Sequence, residues 1–336
     1  MKLLKIIIII LIVVWAIWFV KFSKHYVHNG ELNENPDLWG VTFSTKFASE
    51  LDLDIGETYR AILDDLQVRQ IRLPIYWDQI EKYENEFDFS LFDQLLVEGK
   101  KRDVKFIVNL GWRLPRWPEC HAPLWAKDMS IEDVQAKTLR MLRVAVGHYK
   151  GHSEIVAWQI ENEPLVDWFG KCPAGDEEFL KQEVALVKSL DGRPVIVSAS
   201  GELSFWQREA EVGDVLATTV YRVVWNPWFK YFRYPLPAWF YSWKAGRVGK
   251  TGEKMIVSEL QAEPWVIDGG MNKIDQAEVD KSMSLEQFES NLKFAQKINF
   301  ELHISLLEKW THRGSNPGPL PCKGSILTAE LQALKA

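Results

Sequence analysis

The chain has 336 residues, room for one large domain or two ordinary ones. Hydrophobic residues make up 47% and charged residues 26%, a globular balance that excludes disorder and collagen. Acidic residues outnumber basic ones by 46 to 40, so no basic excess points to a nucleic-acid partner. The outlying residue is tryptophan, with 16 copies, and a large core is only one reading of so many.

The chain begins with an unbroken apolar run from Ile6 to Val20, flanked by Lys2, Lys5, Lys21 and Lys24. As a helix this run rises about 22 Å, short of a hydrocarbon core of roughly 30 Å. Adding Leu3, Leu4 and Phe22, with lysines snorkelling at both ends, makes it long enough to span. A cleavable signal peptide is the alternative, but Trp18-Phe19-Val20-Lys21-Phe22 lacks the small residues of a cleavage site. Residues 1–22 are therefore expected to form a single N-terminal transmembrane signal anchor, and the polar residues 23–38 a stalk. The lysines are too evenly placed to give an orientation. The domain beyond is expected to be extracytoplasmic, at the cell surface or in the periplasm. Such a compartment permits a disulfide. Of Cys120, Cys172 and Cys322, the first two are the sensible pair if their loops are neighbours; free thiols are the other reading.

From there short apolar runs alternate with amphipathic stretches. Strands are expected at Gly40–Ser44, Gln70–Ile75, Val104–Leu110, Ile155–Glu161, Val195–Ala199, Val215–Tyr221, Met255–Glu259 and Leu302–Leu307. Helical patterns lie between them at Gly56–Leu66, Ser90–Lys101, Ile131–Tyr149, Glu177–Leu190 and Leu285–Ile298. Strands joined by helical crossovers pair in parallel, and the length fits an α/β fold, a (β/α)8 TIM barrel over residues 39–310. A doubly wound sheet is the rival, but no dinucleotide fingerprint supports it. The string Gly246 to Thr251 mimics a phosphate loop, yet it lacks the first glycine and precedes a strand, so it reads as a surface turn. His148 and His152 also read as a solvated turn, and no Cys/His cluster has zinc spacing. Residues 311–336 resemble no barrel ending and form an atypical tail.

In such a barrel the chemistry sits at the C-terminal strand ends. The fourth strand runs into Glu161-Asn162-Glu163-Pro164, and the seventh ends at Glu259, followed by Gln261, Glu263 and Trp265. Carboxylates at the ends of hydrophobic strands cost desolvation, and a structural protein has little reason to place them there. Strands four and seven stand on opposite sides of an eight-strand ring, so their glutamates face each other across its mouth. Two opposed carboxyls are what glycoside hydrolysis uses: one donates a proton to the leaving oxygen, and the other attacks the anomeric carbon or activates water.

Asn162-Glu163-Pro164 with Glu259 about a hundred residues later resembles the clan of retaining (β/α)8 glycosidases that includes cellulases and β-mannanases. The resemblance runs from about Trp39 to about Asn299. It implies Glu163 as acid/base, Glu259 as nucleophile, Asn162 as the holder of the sugar 2-hydroxyl, and Arg72 and Tyr221 as supports of the nucleophile. It implies an oligo- or polysaccharide as partner; no cofactor is expected, because two carboxylates suffice for this chemistry, and no metal. Trp112 and Arg113 read as parts of a substrate-lining loop with Trp117 and Glu119, with Arg113 equally able to fix that loop by pairing with an acid. Glu263 and Glu202 bind sugar or cap local structure, and Glu161 lies beside the site or behind it. Nine tryptophans follow strand ends (77, 112, 117, 125, 168, 206, 225, 228 and 265), where an indole face suits a sugar's CH face. Trp39 and Trp158 read as core, and Trp239 and Trp243 as one inward helix face. Strand eight departs from the clan: Ser305 stands where the clan carries a tryptophan. The function expected is hydrolysis of O-glycosidic bonds by double displacement. An inactive carbohydrate-binding barrel, a truncated product or a transglycosylase are the alternatives.

Overall fold

A computed structural model describes residues 35–267, 274–300 and 303–306. Among the described residues ten strands are formed: β1 (Trp39–Thr42), β2 (Gln70–Pro74), β3 (Lys105–Leu110), β4 (Ile155–Ile160), β5 (Val195–Ala199), β6 (Val215–Val220), β7 (Val223–Asn226), β8 (Lys230–Arg233), β9 (Met255–Leu260) and β10 (His303–Leu306). Eight of them close a barrel in the order β1-β2-β3-β4-β5-β6-β9-β10, every pair parallel. This is the expected (β/α)8 architecture. The remaining two, β7 and β8, pair antiparallel and form a hairpin between the sixth and seventh barrel strands. The expected anchor, most of the stalk and the atypical tail lie outside the described residues. Among the described residues no helix is long and apolar enough to cross a membrane.

The crossover helices start where side chains satisfy their free amides. Ser130 caps Ile131–Tyr149 through Asp133 N, Asp176 caps Glu177–Leu190 through Phe179 N, and Ser284 caps Leu285–Ile298 through Gln287 N. The barrel strands are covered on both faces, so they read as nearly continuous apolar runs. Outward side chains such as Val108, Trp158, Ile160 and Val197 pack under the helices. Inward ones of opposite parity (Ile107, Ala157, Ile196, Ala217, Ile256 and Ile304) make a separate apolar layer that fills the barrel.

The register between β6 and β9 slips between Thr218 and Thr219, and that between β9 and β10 slips over the same stretch. Val257 and Leu260 both pack outward, with Ser258 and Glu259 accommodated between them. A regular strand that buries Val257 outward would send Glu259 outward too. The extra residue re-aims Glu259 to the barrel mouth, as bulges beside functional sites do.

Beyond β5 the chain passes so close to β6 that a Cβ on Gly201 would lie 1.8 Å from the Thr219 carbonyl oxygen. Gly201→Ala is expected to lower stability by about 1–3 kcal/mol or more, because backbone, not a flexible side chain, must yield. Gly147, on the exposed face of Ile131–Tyr149, has open space around it; Gly147→Ala should raise stability by about 0.5–1 kcal/mol. Chemical denaturation of both variants checks the contrast.

Candidate active site

One guanidinium organises the barrel mouth. Arg72, on β2, is fully buried. Its Nε donates to Gln159 Oε1 at 2.8 Å, its NH2 to Asn162 Oδ1 at 2.8 Å, and its NH1 to Glu259 Oε1 at 3.0 Å. A single planar fork thus ties β2 to β4 and β9. The other Glu259 oxygen accepts from Tyr221 OH at 2.8 Å. Burial and the neighbouring Glu259 charge push the Tyr221 phenol well above its usual range, so it stays a donor. Both Glu259 oxygens therefore accept, one from a cation and one from a neutral hydroxyl.

Glu163 sits in different surroundings. Its protein hydrogen bond is from Thr219 Oγ1, at 3.2 Å. Burial first, and the Glu259 charge second, raise its carboxyl to about 8. Ser198 accepts from Glu163 N at 2.8 Å and also contacts Asn162 Oδ1 at 3.4 Å. Because Asn162 Oδ1 faces Arg72 and Ser198, its Nδ2 must face the other way, where Glu119 Oε2 lies at 3.4 Å. Glu161 and Glu163 both adopt positive φ, at 58° and 45°, so the chain leaving β4 turns sharply at each.

Glu161 does not share the mouth with Glu163. Its carboxylate accepts from Trp112 N at 2.7 Å and from Arg113 N, tying the loop after β3 to the end of β4. Gly111 makes room for it: φ is 151°, and a Cβ there would lie 2.6 Å from the Glu161 carboxyl. Arg113 continues the same tie. Its NH1 donates to Val166 O at 2.6 Å and its NH2 to Phe169 O at 2.8 Å. It fixes the loop through carbonyls, where lining the substrate and pairing with an acid were the two expectations, and these two donor groups face the loop. Cys120 and Cys172 are disulfide-bonded, Cα to Cα 5.4 Å, joining the loops after β3 and β4. Glu263 pairs with Arg116 at 2.7 Å and thereby joins the β3 loop to the β9 loop. Glu202 accepts from Tyr221 N at 2.9 Å and from Tyr241 OH, which seats the segment carrying Tyr221.

The tryptophans divide more sharply than their sequence positions suggest. Trp77 and Trp206 follow strand ends but are fully buried, so they are core and not sugar platforms. Trp158 is core as expected. Trp243 is 53% exposed and does not share an inward face with Trp239. Trp112 is half-buried against the outer core. Trp265 packs edge-on against the Tyr221 ring at 5.9 Å, close to Glu259. Trp117, Trp168 and Trp228 are the open faces, at 58%, 59% and 88% exposure. Ser305 pairs by register with Val41 and Leu260 in β10. Among the described residues no group of His, Cys, Asp and Glu is placed to hold a metal. His148 and His152 instead contact Asp93 and Glu154, each at 2.9 Å.

Sequence alone does not single out Gln159 and Thr219, the partners of Arg72 and Glu163, nor Ser198 and Glu119. Ser198 lies inside an apolar strand and announces nothing. Glu119 had been read only as part of a lining loop, yet it is buried beside both glutamates. If Arg72 holds this mouth together, Arg72→Leu leaves Glu259 buried without its cation. Stability should fall by about 3–5 kcal/mol, measured by denaturant unfolding; a loss within about 0.5 kcal/mol, typical of surface changes, would contradict that role.

No protein-family model and no curated protein matches the sequence. Solved structures do resemble the fold. A glycosylated endo-β-1,4-xylanase of glycoside hydrolase family 10 from Gloeophyllum trabeum aligns over 90% of this chain and 98% of its own, with 14% identity and a TM-score of 0.58. Xylanase 10B from Thermotoga petrophila aligns over 83% and 86%, with 12% identity and a TM-score of 0.54. A β-galactosidase from the psychrophilic Marinomonas ef1 aligns over 80% of this chain at 12% identity and a TM-score of 0.53, and the chain spans 53% of that protein. The barrel is thus one that glycoside hydrolases also use.

Proposed function

We propose that the chain is a retaining β-glycosidase acting on an oligo- or polysaccharide, with Glu163 as acid/base and Glu259 as nucleophile. The observation that carries this reading is the contrast between the two carboxyls. Glu259 is held as an acceptor by Arg72 and Tyr221, while burial keeps the proton on Glu163 up to about pH 8. Two carboxyls in such different surroundings divide the acid and base roles between them.

In the first step Glu259 attacks the anomeric carbon and forms a glycosyl ester. The bond to the leaving oxygen breaks as Glu163 gives that oxygen its proton. In the second step Glu163 takes a proton from water, whose oxygen attacks the same carbon and releases Glu259. Asn162, its amide orientation set by Arg72, shares that guanidinium with the nucleophile and stands on the side of the substituent of the neighbouring sugar carbon. No cofactor is required by this chemistry. The open indoles of Trp117 and Trp168, on the disulfide-joined loops after β3 and β4, suit sugar rings beyond the reacting one. The lysine-flanked apolar run Ile6–Val20 supports membrane anchoring, and the Cys120–Cys172 bond suits a barrel in an oxidising compartment outside the cytoplasm.

Glu259→Ala should abolish turnover of aryl β-glycosides, and azide should restore part of it as a β-to-α inverted glycosyl azide; ordinary activity in that variant would defeat the assignment. The proton-donor role predicts a sign for the pH profile. Activity is full while Glu163 is protonated and falls as pH rises through about 8. Glu163→Gln should lose about 10²–10⁴ in rate on poor leaving groups. With a leaving group that needs no proton, the variant should lack that alkaline limb.

A further inference from the structure

A third carboxyl lies in the same mouth, and the two-step chemistry does not use it. Glu119 is 4% exposed. Its backbone is pinned on both sides, with Leu114 N donating to Glu119 O at 2.8 Å and Glu119 N to Arg116 O at 2.7 Å. Cys120, the next residue, is disulfide-bonded. Gly170 packs against the Glu119 side chain so closely that a Cβ there would approach it to 2.8 Å. The carboxyl is held in position.

What it lacks is a strong partner. Among the described residues its one hydrogen bond is from Asn162 Nδ2, at the long distance of 3.4 Å. The nearby cations are engaged elsewhere: Arg72 with Glu259, Arg113 with loop carbonyls, and Arg116 with Glu263. Burial, and then the charges of Glu259 and Glu163, push Glu119 well above the usual carboxylate range. The Arg113 charge offsets this in part, but no cation touches the carboxyl, and a buried carboxyl without a cation in contact is costly to ionise, a cost that an incoming cation would remove. Asn162, which bonds Glu119, shares Arg72 with Glu259, and the Glu259 charge is felt at Glu119, so the carboxyl stands on the side of the nucleophile and of the anomeric carbon when a sugar is bound.

We propose that Glu119 is a specificity-determining residue that receives the ammonium of a 2-amino sugar, so that the reacting ring of the glycan carries a free amine beside its anomeric carbon. This rests on the glycosidase reading above. A neutral hydroxyl in that place offers no charge to Glu119, and an N-acetyl group offers bulk without charge. Glu259, and Glu119 once it has given up its proton, supply the anionic surroundings an ammonium needs, with the Glu119 oxygens as the acceptors.

The test compares kcat/KM on aryl β-glycosides with a 2-hydroxyl, a 2-amino or a 2-acetamido group, in matched gluco and galacto series, at mildly acidic pH. In one series the amino sugar should be preferred by about 10- to 100-fold, the range of one charge-assisted hydrogen bond. Glu119→Gln should reduce that preference ratio by a similar factor, whatever happens to absolute rates, and Glu119→Asp should restore part of it. A ratio unchanged by Glu119→Gln, or a preference for the hydroxyl or acetamido sugar in both series, overturns the proposal. If no glycoside is hydrolysed, the glycosidase reading fails separately, and calorimetric binding of glucosamine oligomers against glucose oligomers decides this one. Tighter amine binding that Glu119→Gln removes supports it, and equal affinities reject it. Melting curves establish that each variant is folded.

Discussion

The mouth of this barrel depends on a positive charge with no access to water. Arg72 is sealed inside, and such a charge persists only if every donor it aims is met. Gln159, Asn162 and Glu259 meet those donors from two other strands. The requirement runs in both directions. Glu259 and Asn162 are oriented because Arg72 needs acceptors, and Arg72 can be buried because they are there. The amide of Asn162 then has one orientation only, and the side it presents to the cavity follows from a residue on another strand.

The rest of the mouth is built to keep two carboxyls unlike each other. Glu259 receives a cation and a phenol; Glu163 receives a single threonine hydroxyl in a half-buried setting. The β9 bulge, the sharp turns after β4 and the narrow passage at Gly111 all serve placement. They decide which acids face the cavity and which, like Glu161, are turned to holding loops. An acidic residue at a strand end is therefore not by itself a site residue. Its neighbours settle its work.

Much of this was legible in the sequence, for physical reasons. Barrel strands buried on both faces read as apolar runs, so all eight were located, and helices such as Ile131–Tyr149 and Glu177–Leu190 were located to the residue. Glu163 and Glu259 stood out because carboxyls at the ends of apolar strands need an explanation, and Asn162, Arg72 and Tyr221 stood out through the resemblance that those two carry. What was not legible depended on backbone detail or on distant partners. The register slip that turns Glu259 inward leaves no mark in the residue pattern. Trp77 and Trp206 carry the same residue type after a strand end as Trp117 and Trp168, and only packing separates core from surface. The hairpin of β7 and β8 was missed because its short strands lie among turn residues. Arg113 and Glu263 looked like substrate contacts, since nothing in a sequence shows that Val166, Phe169 and Arg116 already occupy them.

The bond between Cys120 and Cys172 divides the mouth into parts of different origin. Arg72, Glu163, Glu259 and Tyr221 stand on or directly after barrel strands and lean on no cysteine. Glu119 stands on a loop closed by that bond, beside Gly170 on the loop it is closed to. A chain folded where thiols stay reduced would keep the first set in place and lose the clamp on the second. Oxidation of one pair of thiols would then separate a barrel that has its acid pair from one that also has its third carboxyl in register.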